Sequence, residues 1–189
     1  TVDAFLAAEM HGSLEATELQ WARDVLDRYF ASVGNHADIQ RARDRYSLRP
    51  RGSTAGAGER TPRPQGDIAR AGVSYEALLA LCRQRRSVRW FLDRPVPQEL
   101  VLQAVSVATE APSACNRQPF LFRYLGDASA ARRVAAISMG TTGYSHNIPA
   151  LVVVLGDLSC YPEERDRHVV YVDAALAAMQ FMLALETLG

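Results

Sequence analysis

Three arginines and a serine lie close together in the middle of the chain. Arg85, Arg86 and Arg89 carry permanent positive charge, and Ser87 places a hydroxyl among them. Guanidinium groups bind phosphate oxygens in a bidentate geometry, so this cationic cluster is suited to a phosphorylated ligand. A solvated basic helix end is the alternative interpretation, because the helix dipole favours arginine near a helix C-terminus.

A polar loop bounded by prolines follows the cluster after one predicted helix. It runs from Pro112 to Pro119 and offers backbone N–H groups together with the side chains of Ser113, Asn116 and Gln118. These groups are suited to the edge of a flat heteroaromatic ring. For Asn116 and Gln118, ordinary hydrogen bonding within a turn is the alternative interpretation.

The order and spacing of these segments resemble those of the nitroreductase family of FMN-dependent NAD(P)H oxidoreductases. That family carries an Arg-x-Ser-x-Arg/Lys-x-Phe segment, a helix opened by Pro-Val-Pro-x-Glu, and a loop similar to Pro-Ser-x-x-Asn-x-Gln-Pro-Trp. The corresponding segments here are 85–91, 95–99 and 112–120. The resemblance implies an α+β fold with three layers, in which helices flank a mainly antiparallel central sheet. It also implies FMN as cofactor, NAD(P)H and a small-molecule electron acceptor as partners, and a homodimer.

The same resemblance gives the arginines and the serine their expected roles. Arg85 and Ser87 would hold the phosphate and ribityl part of FMN, and Arg89 would reach the N1/O2 edge of the flavin ring. A cation at that edge stabilises the negative charge of the reduced ring. Arg86 is included among the cofactor-binding residues, with a surface position as the alternative. No other side chain is given a catalytic role, because the cofactor carries the redox chemistry in such enzymes.

The resemblance also assigns roles to the loop. Pro112, Ser113 and Ala114 would pass along the flavin through backbone contacts, and Asn116 and Gln118 would brace the loop against the ring. The small oxidant is expected to be a nitroaromatic or a quinone. The alternatives are a nitroreductase-fold enzyme of different reaction (dehalogenation, azoline oxidation or flavin fragmentation) and a degenerate, non-catalytic partner subunit.

The chain divides into three predicted parts: a helical extension over 1–46, a flexible linker rich in Arg, Pro and Gly over 47–73, and an FMN-binding domain over 74–189. The resemblance implies that further family segments lie downstream of Gly189, namely a glycine-containing loop and a basic residue that grips the phosphate. We therefore expect the domain to be incomplete at its C-terminus. The extension is expected to pack on the core of the domain or on a partner chain.

Composition narrows the class of protein. The chain has 189 residues with 48% hydrophobic composition, enough for one substantial core, and its 21 basic residues balance 21 acidic ones. This balance gives no bulk electrostatic argument for binding nucleic acid or an anionic membrane. Cys82, Cys115 and Cys160 are far apart in the sequence, which favours a reducing cytoplasm over a disulfide framework. The four histidines have no spacing typical of a metal site, so we predict none.

Hydrophobic periodicity predicts the elements that must position the cluster and the loop. In the extension it predicts helices over 13–33 and 37–46. In the domain it predicts helices over 75–84, 97–109, 129–137 and 169–188, and strands over 120–125 and 151–155. Leu78, Leu79 and Cys82 are expected to form the inner stripe of the first domain helix. The last helix is apolar nearly all round, and we expect it to lie at a subunit interface.

Overall fold

The computed structural model describes residues 1–48, 61–62 and 64–189. The chain forms two compact units, Thr1–Ala71 and Gly72–Gly189. Much of the predicted linker, residues 49–60 and 63, lies outside the described residues. The boundaries predicted from the sequence therefore stay predictions.

In its described residues, the first unit contains three α-helices: α1 (Val2–His11), α2 (Ala16–Ser32) and α3 (Ala37–Ser47). Its core is formed by Phe5, Leu26 and Tyr46, one residue from each helix. The helix α1 was not predicted, and α2 begins later than expected because Glu15 and Glu18 form a capping box there.

The second unit contains four helices and two strands within the described residues. In chain order they are α4 (Tyr75–Gln84), α5 (Gln98–Ala108), β1 (Phe120–Leu125), α6 (Ala128–Ala135), β2 (Leu151–Gly156) and α7 (Val169–Leu188). The predicted helices and strands of this unit are all present, with ends shifted by one or two residues. Ser74 caps α4 by accepting a hydrogen bond from the Ala77 N–H, and Asp127 caps α6 in the same way.

The two strands pair in an antiparallel sheet. Phe120 lies opposite Gly156 and Leu125 lies opposite Leu151. A small antiparallel sheet packed among helices is an α+β architecture, so this predicted fold class is confirmed. The short turn Ser145–Asn147 lies on the connection between α6 and β2.

The core of this unit lies where α5, α7 and the sheet meet. Ala104 of α5 and Ala177 of α7 are completely buried, and small side chains at both positions let the two helices approach closely. Phe181 of α7 packs against Phe122 of β1, with ring centroids 5.2 Å apart.

The inner stripe predicted for α4 is wrong in two of its three positions. Leu78 is 50% exposed and Cys82 is exposed, whereas Leu79 is half-buried. Periodicity identified an apolar side of the helix, but among the described residues α4 packs mainly against α7 and buries none of its side chains fully.

One face of α7 is buried and the other is open. The buried face is Val170, Asp173, Ala177, Phe181 and Ala184. The open face is Tyr171, Val172, Leu176, Met179 and Met182. Residues Glu164–Leu188 are long and apolar enough to span a bilayer by length and composition alone, with mean hydropathy 1.6 over the most apolar stretch. Core helices have the same composition, and α7 packs against α5 and both strands.

Gly156 at the end of β2 allows the sheet to approach α7. A Cβ atom at this position would lie 2.6 Å from Cγ2 of Val170, whose side chain is buried and β-branched. We therefore expect Gly156→Ala to lower the free energy of unfolding by about 1–3 kcal/mol, the usual cost of overpacking. Urea unfolding of the full chain measures this change.

Gly140→Ala is the matched control, because a Cβ atom there would meet no atom within 4 Å. This control should leave stability unchanged or raise it slightly, since alanine restricts the unfolded chain. Equal stability of the two variants would contradict the close approach of β2 to α7.

Candidate functional site

The cationic cluster begins where α4 ends. Arg85 is the C-terminal cap of α4, and its backbone N–H donates to the carbonyl of Leu81 at 3.1 Å. The Val88 N–H then donates to the Arg86 carbonyl at 3.1 Å, which closes a tight three-residue turn at Ser87. The segment is therefore bent at Ser87 instead of continuously extended.

A cavity of about 610 Å³ lies beside this turn. Arg85, Arg86 and Ser87 all line it, together with residues of both strands and the C-terminal part of α7. The turn thus brings Arg86 to the same cavity as Arg85 and Ser87. The volume lies within the roughly 300–1,000 Å³ typical of small-molecule sites.

The charge around this cavity favours an anion. Arg85 and Arg86 are its basic lining residues, and Glu186 is the one acidic residue that lines it. Arg85 is half-buried, and its Nε is buried without a hydrogen-bond partner in the described part of the chain. A buried donor without an acceptor is costly, so this nitrogen is suited to an anionic oxygen from a ligand.

Arg89 lies apart from that cavity. Its guanidinium carbon is 5.9 Å from the centre of the Tyr144 ring, and its Nη1 donates to the Ser87 carbonyl at 3.4 Å. Its own backbone carbonyl accepts a hydrogen bond from Nδ2 of Asn147 at 3.0 Å. The connection between α6 and β2 therefore contacts both the backbone and the side chain of Arg89.

The loop between Pro112 and Pro119 has an unusual backbone. Cys115, Asn116 and Gln118 have φ values of 55°, 53° and 47°, in the left-handed region that non-glycine residues seldom adopt. Such conformations persist only where the surroundings hold them in place, and they cluster at functional sites. Pro119 is fully buried and fixes one end of the loop.

Hydrogen bonds inside the loop account for part of this conformation. The Gln118 N–H donates to Oγ of Ser113 at 2.9 Å, and its side-chain Nε2 donates to the Thr109 carbonyl at 2.9 Å. The Asn116 N–H donates to the Ser113 carbonyl at 2.9 Å. Gln118 thus holds the loop against the end of α5, and its predicted role of bracing the loop against the flavin ring stays a prediction. Pro112 and Asn116 are exposed.

A buried carboxylate of α7 accepts a hydrogen bond from the backbone of the same loop. Asp173 of α7 is only 3% exposed, and its two oxygens lie 3.2 and 3.3 Å from the backbone nitrogen of Ala114. The Tyr161 hydroxyl donates to the same carboxylate. The Ala114 N–H, which the resemblance assigned to the flavin, is therefore already bonded within the protein.

Tyr161 completes this group, which we call the Asp173 latch (Asp173, Tyr161 and the Ala114 N–H). Burial first, and the hydrogen bond to Asp173 second, raise the pKa of Tyr161 from 10.0 to about 12. The Arg117 guanidinium lies 5.1 Å from the centre of the Tyr161 ring and covers it. Sequence reasoning missed the latch, although a lone aspartate in an apolar helix was a signal that it needs a partner.

The structure thus divides the predicted residues into three groups. Arg85, Arg86 and Ser87 share one cavity, Arg89 contacts Tyr144 and Asn147, and the 112–118 loop is anchored to α5 and α7. Within the described residues, no hydrogen bond joins the cationic segment to that loop. No cluster of three or more His, Cys, Asp or Glu residues that could hold a metal ion occurs in the described part of the chain.

Known proteins match the part of the chain that carries these residues. The model of the nitroreductase family matches residues 82–144, a range that contains the cationic cluster and the proline-bounded loop. Over this range the chain is similar to the nitroreductase family. A crystal structure from Bacteroides thetaiotaomicron, named provisionally as an NADH dehydrogenase/NAD(P)H nitroreductase, superposes with a TM-score of 0.52 at 25% identity. That superposition covers 60% of this chain and 63% of the other, and it confirms a nitroreductase-type fold.

Two curated relatives are similar in sequence. A Caulobacter protein, also named provisionally as an NADH dehydrogenase/NAD(P)H nitroreductase, is 30% identical over 98 residues, which cover 51% of this chain and 50% of the relative. A chloronitrobenzene nitroreductase from Comamonas testosteroni is 52% identical over 40 residues, which cover 21% of this chain and 18% of the relative. The matches thus span half or less of the length of these curated relatives.

Proposed function

We propose that this chain is an FMN-dependent oxidoreductase of the nitroreductase family. When bound, FMN would supply the redox chemistry, taking hydride from NAD(P)H at N5 and passing electrons to a small oxidant such as a nitroaromatic or a quinone. The names of the relatives support this class of activity. The observation that carries the proposal is the buried, unpartnered Nε of Arg85 beside a cavity of about 610 Å³.

The residues of the chain would bind FMN and orient its ring. Arg85 and Ser87 would hold the phosphate and ribityl end, with Arg86 adding positive charge at the cavity mouth. Arg89 would place a cation at the N1/O2 edge of the ring, where negative charge accumulates on reduction. The 112–118 loop, fixed by the Asp173 latch, would present a preformed surface to the ring.

The proposal also covers the oligomeric state of the protein and its location in the cell. The open apolar face of α7 supports a homodimer, because soluble proteins seldom leave contiguous apolar patches exposed. Balanced charge and sparse cysteines support a cytoplasmic protein that binds neither nucleic acid nor membrane. Two alternatives are compatible with the same fold: a nitroreductase-fold enzyme of different reaction, and a non-catalytic partner subunit.

An FMN titration tests the cofactor assignment. The full chain should quench FMN fluorescence on binding and show a flavin absorbance band after gel filtration. Arg85→Gln should weaken FMN binding roughly ten- to hundredfold, the range for losing a charged hydrogen bond of about 1.5–3 kcal/mol. Oxidation of NADH and of NADPH, assayed with a nitroaromatic and with a quinone, would then separate the acceptors.

Arg83→Gln is the matched control, since Arg83 is an exposed arginine in the last turn of α4. It should bind FMN as the wild type does. A colourless wild-type protein that ignores added FMN would support the non-catalytic alternative. Equal affinities of the Arg85 and Arg83 variants would remove the phosphate-binding role of Arg85.

A further inference from the structure

One side chain holds the backbone on both sides of Trp90. Nδ2 of Asn147 donates to the Arg89 carbonyl, and Oδ1 of Asn147 accepts from the Phe91 N–H, each at 3.0 Å. The amide thereby pairs with one edge of the segment as a neighbouring β-strand does. Only this orientation of the amide works, because the reverse would set an NH₂ group against the Phe91 N–H.

Ring contacts around Asn147 reinforce this clamp, which consists of Asn147, the Arg89 carbonyl and the Phe91 N–H. Tyr144 lies under the Arg89 guanidinium at 5.9 Å, and the rings of Trp90 and His146 meet edge-on with centroids 6.0 Å apart. Tyr144 and His146, which precede Asn147 in the chain, thus contact the side chains of Arg89 and Trp90.

Packing and hydrogen bonds connect the clamp to helix α6. Ile148, the next residue, is 6% exposed and packs against Ala131 and Ala135 of α6. Nε of Arg132 donates to the Ile148 carbonyl at 3.2 Å, and its Nη2 donates to Asp93 at 3.3 Å. Asn147 therefore connects an exposed cationic segment to a packed helix.

We propose that Asn147 is a positioning residue for Arg89. This inference rests on the proposed function, because it takes Arg89 as the cation at the N1/O2 edge of FMN. An exposed arginine has many side-chain conformations, so the place of its guanidinium depends on where the backbone and the Tyr144 ring hold it. The clamp fixes that backbone through two hydrogen bonds and acts on flavin reduction through Arg89, without contacting the ligand phosphate.

Two variants remove the clamp in different ways. Asn147→Asp keeps the shape and the acceptor for the Phe91 N–H, but it sets a carboxylate oxygen against the Arg89 carbonyl. Asn147→Ala removes both hydrogen bonds. Ser145→Ala, in the same short turn, is the matched control and should behave as the wild type does.

Hydrogen exchange of the Phe91 amide in the ligand-free protein tests the clamp itself. We expect faster exchange in Asn147→Ala and wild-type exchange in Ser145→Ala. Unchanged exchange in Asn147→Ala would overturn the clamp whatever the protein binds. A protein that shows the clamp but takes up no FMN would overturn the proposed function and, with it, the role given to Arg89.

Anaerobic stopped-flow reduction by NADH tests the role of Asn147 as a positioning residue. Asn147→Asp and Asn147→Ala should slow flavin reduction about tenfold, equivalent to about 1.4 kcal/mol, and lower the flavin reduction potential, while FMN affinity changes little. In an Arg89→Ala background, Asn147→Ala should slow flavin reduction no further, because both substitutions remove the same contribution, that of the Arg89 guanidinium. Additive losses, or an affinity loss equal to the rate loss, would overturn the inference.

Discussion

Asp173→Ala should be the most destabilising single substitution proposed for the second unit, lowering its free energy of unfolding by about 2–4 kcal/mol. It leaves the buried Tyr161 hydroxyl and the Ala114 N–H without their acceptor, and an unsatisfied buried donor costs about 1–3 kcal/mol. It also releases the loop that holds three residues at positive φ. Urea unfolding of the full chain, followed by circular dichroism, measures the loss.

Tyr161→Phe separates the two halves of the latch, because Asp173 then keeps the Ala114 N–H and loses only the phenol. Its stability loss should be smaller than that of Asp173→Ala. The pKa of Tyr161 is raised to about 12 in the folded chain, so wild-type stability should fall as pH rises from about 10 to 12, where the unfolded phenol ionises first. Tyr161→Phe should lose that part of the pH dependence, and the same alkaline decline in both proteins would contradict the buried phenol.

Local pattern was enough to predict most elements of the second unit. The stripe of Val101, Ala104 and Ala108 in α5 is buried as its periodicity predicts, and Phe120 begins a strand as expected. Periodicity states which side of a helix is apolar, but it does not state what packs against that side. Leu78 of α4 shows this limit, since periodicity placed it on the inner stripe although it is 50% exposed.

The site shows a second limit of sequence reasoning. The cationic cluster and the proline-bounded loop were found because each is a contiguous segment with a family pattern. Asp173 and Asn147 were not found as supporting residues, because their backbone partners lie 56 to 59 residues away in the chain. Single polar residues that meet distant backbone groups leave no periodic signal. Gln118, which the sequence did single out, differs from these two residues because the carbonyl that it binds belongs to nearby Thr109.

Arg89→Ala should slow flavin reduction by NAD(P)H by ~10²–10³, the usual effect of removing one group that stabilises a developing anion. Arg89 carries the cation proposed for the N1/O2 edge, its guanidinium contacts the Tyr144 ring, and its backbone is bonded by the Asn147 clamp. FMN binding should weaken as well, because a positive charge is lost beside the ring. Anaerobic stopped-flow reduction and an FMN titration, both on the full chain, measure the two effects.

Arg86→Ala is the control, since it removes the same charge three residues away. In the part of the chain that the structure describes, Nη1 of Arg86 donates only to the carbonyl of its neighbour Arg85, at 2.8 Å, and its side chain is exposed. Its loss should lower FMN affinity slightly, because solvent and salt screen its exposed charge at the cavity mouth, and it should leave the rate of flavin reduction nearly unchanged. Raising the salt concentration should abolish the small Arg86 effect and preserve the Arg89 effect. If both variants lost reduction rate equally, the positive charge of the segment as a whole would matter, and the specific role of Arg89 would be wrong.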